Sequence, residues 1–288
     1  MMSNEKSLTP WLFLLPGLIL FSIYVLYPIV RSFWVSFYEW DGMAEPIFVG
    51  WGNYIELFDD EVFWVSVQNN IIWLLLFLTS PAIGLAIALF LNQKIRGIRA
   101  VKSLFFFPFV ISQVVVGLMF SWFYAPDGGL LNEFLGIFGI DPVAPLSEEN
   151  QATYAVIAAG MWPQIAYCMI LYLTGLNAIN PDLIEAAQID GAKGWTMLWY
   201  IIVPQLRPAT FIAIVVTVIG SLRSFDTVAI MTLGGPYNSS SVLAFFMYEQ
   251  AILNFRMGYG AAIAVILFLI MAVYIAYFLS RMVREERA

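Results

Sequence analysis

The chain has 288 residues, of which 61% are apolar and only 11% charged, and its formal charge of −7 is spread very unevenly. Soluble domains average about 25% charged residues, so this composition belongs in a bilayer. With no histidine, and with Cys168 as the single cysteine, the chain has no internal disulfide and lacks the commonest general base and metal ligand; no metal site, catalytic constellation or nucleic-acid partner is expected.

A helix needs about 20 apolar residues to cross a hydrocarbon core of about 30 Å. The first uncharged stretch, 8–30, exceeds the roughly 7–15-residue core of a signal peptide, and no small-x-small cleavage site follows Tyr27-Pro28; it reads as a membrane helix. After it comes an acidic loop with Glu39, Asp41, Glu45, Glu56, Asp59, Asp60 and Glu61. Within that loop Trp51, Tyr54, Ile55, Leu57, Phe58, Val62, Phe63 and Val65 recur at helical spacing, which predicts a short amphipathic helix along the interface. Uncharged stretches follow at 62–93, 103–126, 151–181 and 257–280, while 208–230 is interrupted by Arg223 and Asp226. The resulting fold is all-α, a single transmembrane domain over 1–288, with spans expected near 10–36, 66–91, 104–124, 152–174, 208–230 and 258–280.

Lysine and arginine are retained on the cytoplasmic side of a membrane. Lys6, then Lys94, Arg96, Arg99 and Lys102, then Lys193 and Arg207, then Arg281, Arg284 and Arg287 make ten on alternate segments, against Arg256 alone in the other three loops. Both termini are therefore expected in the cytoplasm. No repeat relates the two halves, which weakens the case for a self-contained secondary transporter or channel.

The cytoplasmic segment 177–205 is long for a connection and is punctuated rather than featureless. Asn180 is placed to cap a helix, Pro181 suits its first position and Asp182 complements the dipole. Gly191 suits a left-handed residue that ends this helix, and a second helix is expected from near Trp195 toward Pro204.

Glu185-Ala186-Ala187, Gly191, Ile201 and Pro204 reproduce the signature of the permease subunits of binding-protein-dependent ABC importers: Glu-Ala-Ala, then Gly, then Ile-x-Leu-Pro, with Val203 standing for the Leu. Tyr27-Pro28, the 48–54 stretch, Phe107-Pro108, the 129–132 stretch and Phe225-Asp226 followed by Thr232-Leu233-Gly234-Gly235-Pro236 resemble its sugar-permease branch, the maltose and glycerol-3-phosphate type. The resemblance implies a prokaryotic cytoplasmic-membrane protein that is not itself an enzyme. It implies a second, non-identical permease, two ATP-binding subunits, a solute-binding protein and surrounding lipid as partners. Glu185, Ala186, Ala187, Asp190, Gly191 and Pro204 would form the element that couples to the ATPase. No phosphate-binding loop of the Gly-x-x-x-x-Gly-Lys type occurs in the chain, so ATP and magnesium would be bound by the partner.

Arg223 and Asp226 are three apart and can share a helix face with Ser221, Ser224 and Thr227 nearby. A charge inside a membrane marks either an ion pair or a polar path, and both remain open from the residues alone. The resemblance implies solute contacts here and in the fourth span, where Trp162, Gln164 and Tyr167 offer ring stacking and hydrogen bonds.

Overall fold

A computed structural model describes residues 9–93 and 96–285. Lys6, Lys94 and Arg287, counted above for orientation, lie outside the described residues. Apart from one two-residue antiparallel pair, β1 (Tyr38–Glu39) with β2 (Ile47–Phe48), the described secondary structure is helical. Among the described residues five helical stretches are long and apolar enough to cross a membrane: Trp11–Val35, Glu61–Leu91, Glu149–Ala178, Arg207–Met231 and Met257–Phe278. A further pair, Ile98–Val110 and Gln113–Phe123, meets at 100° and gives six spans if counted as one.

That bend departs from the straight helix expected over 104–124. Ile111 and Ser112 both adopt extended backbone angles, so helical hydrogen bonding stops after Val110 and restarts at Gln113. Elsewhere prolines are accommodated inside helices. The widened turns Ser22–Leu26 and Met197–Ile202 each lie just before a proline, Pro28 and Pro204. Proline donates no N–H and crowds the carbonyl four residues earlier, and a local widening relieves both problems.

We number the helices α1 (Trp11–Val35), α2 (Gly52–Asp59), α3 (Glu61–Phe77), α4 (Ser80–Leu91), α5 (Ile98–Val110), α6 (Gln113–Phe123) and α7 (Leu130–Ile137). Then come α8 (Glu149–Ala178), α9 (Pro181–Ile189), α10 (194–205), α11 (Arg207–Leu222), α12 (Asp226–Met231), α13 (Leu243–Leu253) and α14 (Met257–Glu285).

The chain divides into two compact units. One runs to Asp60 and includes Met247–Leu269. Its core joins Tyr54, Ala262 and Val265 with Phe33, Phe37 and Ile266. The expected amphipathic helix is α2, which buries Tyr54 and Leu57 and exposes Ile55 and Phe58; Val62, Phe63 and Val65 begin the next span instead. Asn53 Nδ2 donates to the Ser36 and Tyr38 carbonyls at 2.9 Å each, tying α2 to the end of α1. Arg256 forms a two-pronged ion pair with Glu56, at 2.6 and 2.7 Å, and covers the Tyr259 ring, whose hydroxyl donates to Asp60 at 2.7 Å.

The second unit holds Glu61–Phe246 and the chain from Ile270 onward. Its core gathers Ala88 and Leu91 of α4, Cys168, Met169, Tyr172 and Leu176 of α8, and Leu206 and Ala213. Gly84 lets α4 press against α8, since a Cβ there would lie 2.7 Å from that of Cys168. Small residues permit such contacts where lipid provides no hydrophobic drive for helix association. Buried amides pin the loop before α13: Asn69 donates to the Ser239 and Ser241 carbonyls, and the Leu243 N–H donates to Asn70.

Candidate coupling segment and solute cleft

The segment 177–205 builds itself from local bonds. Asn180 Oδ1 accepts the Asp182 N–H at 3.0 Å and Pro181 occupies the first turn of α9. At the other end Gly191 has φ +86°, and the N–H groups of Gly191 and Ala192 reach back to the carbonyls of Gln188 and Ala187 at 3.1 and 2.9 Å. This paired reach-back around a left-handed residue is the Schellman stop, which satisfies carbonyls that a helix end leaves open. Ala187 is buried, whereas Glu185, Ala186 and Asp190 are exposed and Ile189 is 87% exposed. α9 packs against the widened turn of α10, whose Met197 is the buried residue on that side. Pro204 lies in the last turn of α10, after the widened turn.

A cleft of about 350 Å³ opens where the fifth span is interrupted. Between α11 and α12 the residues Arg223, Ser224 and Phe225 leave regular helix. Hydroxyls bond the carbonyls beside the break: Ser224 Oγ donates to Gly220 and Ser221 carbonyls at 3.0 Å each, and Ser221 Oγ donates to Val218 at 2.8 Å. Serine and threonine commonly satisfy backbone in this way.

Of the residues singled out from sequence, Gln164, Arg223, Ser224, Asp226 and Thr227 line this cleft together. Arg223 and Asp226 are both exposed, and no ion pair joins them among the described residues. Gln164 is oriented: its Nε2 donates to Thr217 Oγ1 at 2.8 Å, so the opposite Oε1 is the free end, beside Gly220. The cleft therefore presents a guanidinium donor, a carboxylate and an amide acceptor on its walls. Trp73 and Phe77, with ring centroids 5.0 Å apart, add an apolar wall.

Ser221, Trp162 and Tyr167 do not line it. Ser221 is fully buried. Trp162 packs edge-on to Phe107 and Phe120 and lines a separate apolar recess with Pro108, while Tyr167 stacks on Phe109 at 5.1 Å. On α8, Gly160 and Gln164 are four apart and share the cleft face, whereas Trp162 falls on the opposite stripe and Tyr167, on the same stripe as Gln164, lies a turn further along, where Phe109 covers its ring. Sequence reasoning missed Trp73, Phe77 and Gln113. Gln113 reaches the cleft as the first residue after the bend in the third span, and a straight helix gives no signal for it.

Residues 7–285 match the protein family described as "Binding-protein-dependent transport system inner membrane component". The chain is 37% identical over 272 residues to a "Probable ABC transporter permease protein" of Pyrococcus horikoshii, covering 93% of each. It is 34% identical over 276 residues to the lactose transport system permease protein of Rhizobium radiobacter, covering 91% of this chain and 90% of that one. In fold it resembles a chain from the crystal structure of a bacterial ABC transporter involved in the import of the acidic polysaccharide alginate. The TM-score is 0.85 at 23% identity, covering 98% of this chain and 96% of that one.

Proposed function

Because the chain belongs to the inner membrane components of binding-protein-dependent transport systems, we propose that it is the permease subunit through which a carbohydrate or related polyol enters the cell. It is a multi-pass protein of the inner membrane. ATP hydrolysis is supplied by two separate ATP-binding subunits, a second and different permease completes the pore, and a solute-binding protein delivers the cargo from outside. Both termini face the cytoplasm, as the ten-to-one distribution of Lys and Arg requires.

The observation that carries this reading is the pairing of two features in one chain. α9 is a capped, glycine-terminated helix with an exposed outer face, suited to be pushed as a rigid body by a partner. The cleft at Arg223 offers donors, acceptors and aromatic walls, which match the hydroxyl edges and apolar faces of a saccharide. The relative named as a lactose permease supports a sugar cargo. Glu185, Ala186, Ala187, Asp190, Gly191 and Pro204 serve coupling; Gln164, Arg223, Asp226 and Thr227 line the solute path, with Ser224 holding the backbone break open. Arg223 favours an anionic or heavily hydroxylated cargo.

Purifying the chain with its co-expressed partner subunits and measuring ATP hydrolysis against a saccharide panel tests the proposal. Saccharide-stimulated hydrolysis by the complex is expected. Uptake by this chain alone in proteoliposomes, driven by an ion gradient, would overturn it.

A further inference from the structure

The segment that carries α9 has a second exposed face, and its chemistry differs from that of α9. α10 ends at Gln205, and after Leu206 alone Arg207 opens the fifth span, so α10 lies at the level where that span leaves the membrane. One side of α10 is packed, with Met197 buried and Ile202 set against the Leu176 and Leu206 cluster. The other side shows Trp195, Trp199 and Tyr200, which are 73%, 57% and 76% exposed. The two indoles are stacked one helical turn apart, 6.5 Å between centroids and 10° between planes, so they form one surface. Lys193 precedes this surface and Arg207 follows it, neither ion-paired among the described residues.

Three amphipathic rings bracketed by two free cations match the lipid headgroup layer, where ring bodies meet acyl chains, ring N–H and O–H groups meet polar headgroups, and cations meet phosphate. The continuity of α10 with the fifth span places it beside that layer. We propose that α10 is a membrane-surface anchor: Trp195, Trp199 and Tyr200 insert into the cytoplasmic leaflet, and Lys193 and Arg207 engage anionic phospholipid headgroups. This rests on the orientation and coupling reading given above. Since α9 packs on α10, the anchor provides the fixed surface against which a push on α9 is converted to span movement.

The test uses the assembled transporter with Cys168→Ser, which removes the only native cysteine, in nanodiscs of phosphatidylethanolamine and phosphatidylglycerol. A nitroxide on Trp199→Cys is expected to be relaxed more by oxygen than by a water-soluble nickel chelate. The same label on Glu148→Cys, exposed just before α8, is expected to show the reverse. Nickel dominance at 199 would place the face in water, and protection from both relaxants would place it against protein; either result overturns the anchor. Separately, Trp195→Ser with Trp199→Ser should lower solute uptake per ATP hydrolysed by about tenfold, with tyrosine at both positions restoring it. If the label is lipid-embedded yet uptake per ATP is unchanged, the anchor stands and its role as the fixed surface for coupling falls.

Discussion

The ends of α9 are set by bonds between residues no more than five positions apart, from Asn180 to Asp182 at its start and from Ala192 to Ala187 at its stop. The cleft at Arg223 draws its lining from α3, α6, α8 and the break between α11 and α12, elements that span positions 73 to 227. A mechanical part can be rigid through local bonding alone. A binding site must be assembled, because no single helix face presents a cation, a carboxylate, an amide and two rings in one concavity. The same division recurs in the unit that runs to Asp60, where the Asp41 turn is local and the approach of Glu249 to Asp60 is tertiary.

The largest expected effect breaks the local part. Gly191→Val should abolish uptake and solute-stimulated ATP hydrolysis, because a left-handed backbone costs a non-glycine residue about 1–2 kcal/mol and a β-branched one more. Nothing lies within 4 Å of the added Cβ, so the effect is conformational rather than steric. Gly191→Asn, which tolerates the left-handed region, should keep most of the activity, and thermal unfolding in detergent should show the spans intact in both variants. If the Gly191→Val variant transports normally, α9 is only a connection.

Next in size is the assembled part. Arg223→Gln should reduce uptake about tenfold or more and shift the preference between anionic and neutral saccharides, as expected for losing a charged hydrogen bond of about 1.5–3 kcal/mol. Unchanged uptake and unchanged range would remove Arg223 from the path. A smaller change separates lining from positioning. Thr217→Val removes the acceptor that orients Gln164 and should raise the apparent KM about fivefold, in line with a hydrogen bond worth about 1 kcal/mol. Gln164→Leu should raise it further, and equal effects would mean that the amide's orientation is immaterial.

The smallest effects contrast the two kinds of carboxylate in the unit that runs to Asp60. The Ala44 and Met43 N–H groups hold Asp41 below the usual carboxylate range. Its contribution to stability is present above the unfolded value of about 3.9 and is lost as pH falls through the depressed folded value. Burial, and then the Asp60 charge, push Glu249 up. Its contribution is present below the unfolded value of about 4.3 and is lost as pH rises through the raised folded value. Glu249→Gln should therefore raise Tm at neutral pH by about 1–3 °C, with the difference vanishing in acid. Asp41→Asn should lower Tm at neutral pH, again with convergence in acid. Differences of the same sign for both variants would erase the distinction between the local and the assembled site.

Six apolar stretches, the asymmetry of Lys and Arg, and the start and stop of α9 were legible because each depends on residues adjacent in the chain. Hydrophobic length suffices for a span, and Asn180, Pro181 and Gly191 specify caps through their own side chains or backbone freedom. The bend at Ile111 and Ser112 was not legible, since an uncharged run gives the same signal whether one helix or two cross it. Trp162 and Tyr167 looked suited to a sugar by residue type, yet Trp162 faces away from the Gln164 stripe onto Phe107 and Phe120, and Tyr167 lies a turn beyond Gln164, stacked on Phe109. By itself the sequence determined that this is a multi-span membrane protein, where its apolar stretches fall and where α9 starts and stops, all of which follow from local hydrophobicity, capping and backbone preference. Which polar side chains share the cleft was decided only by tertiary structure, because helix rotation, the bend before Gln113 and the break at Arg223 set which faces converge.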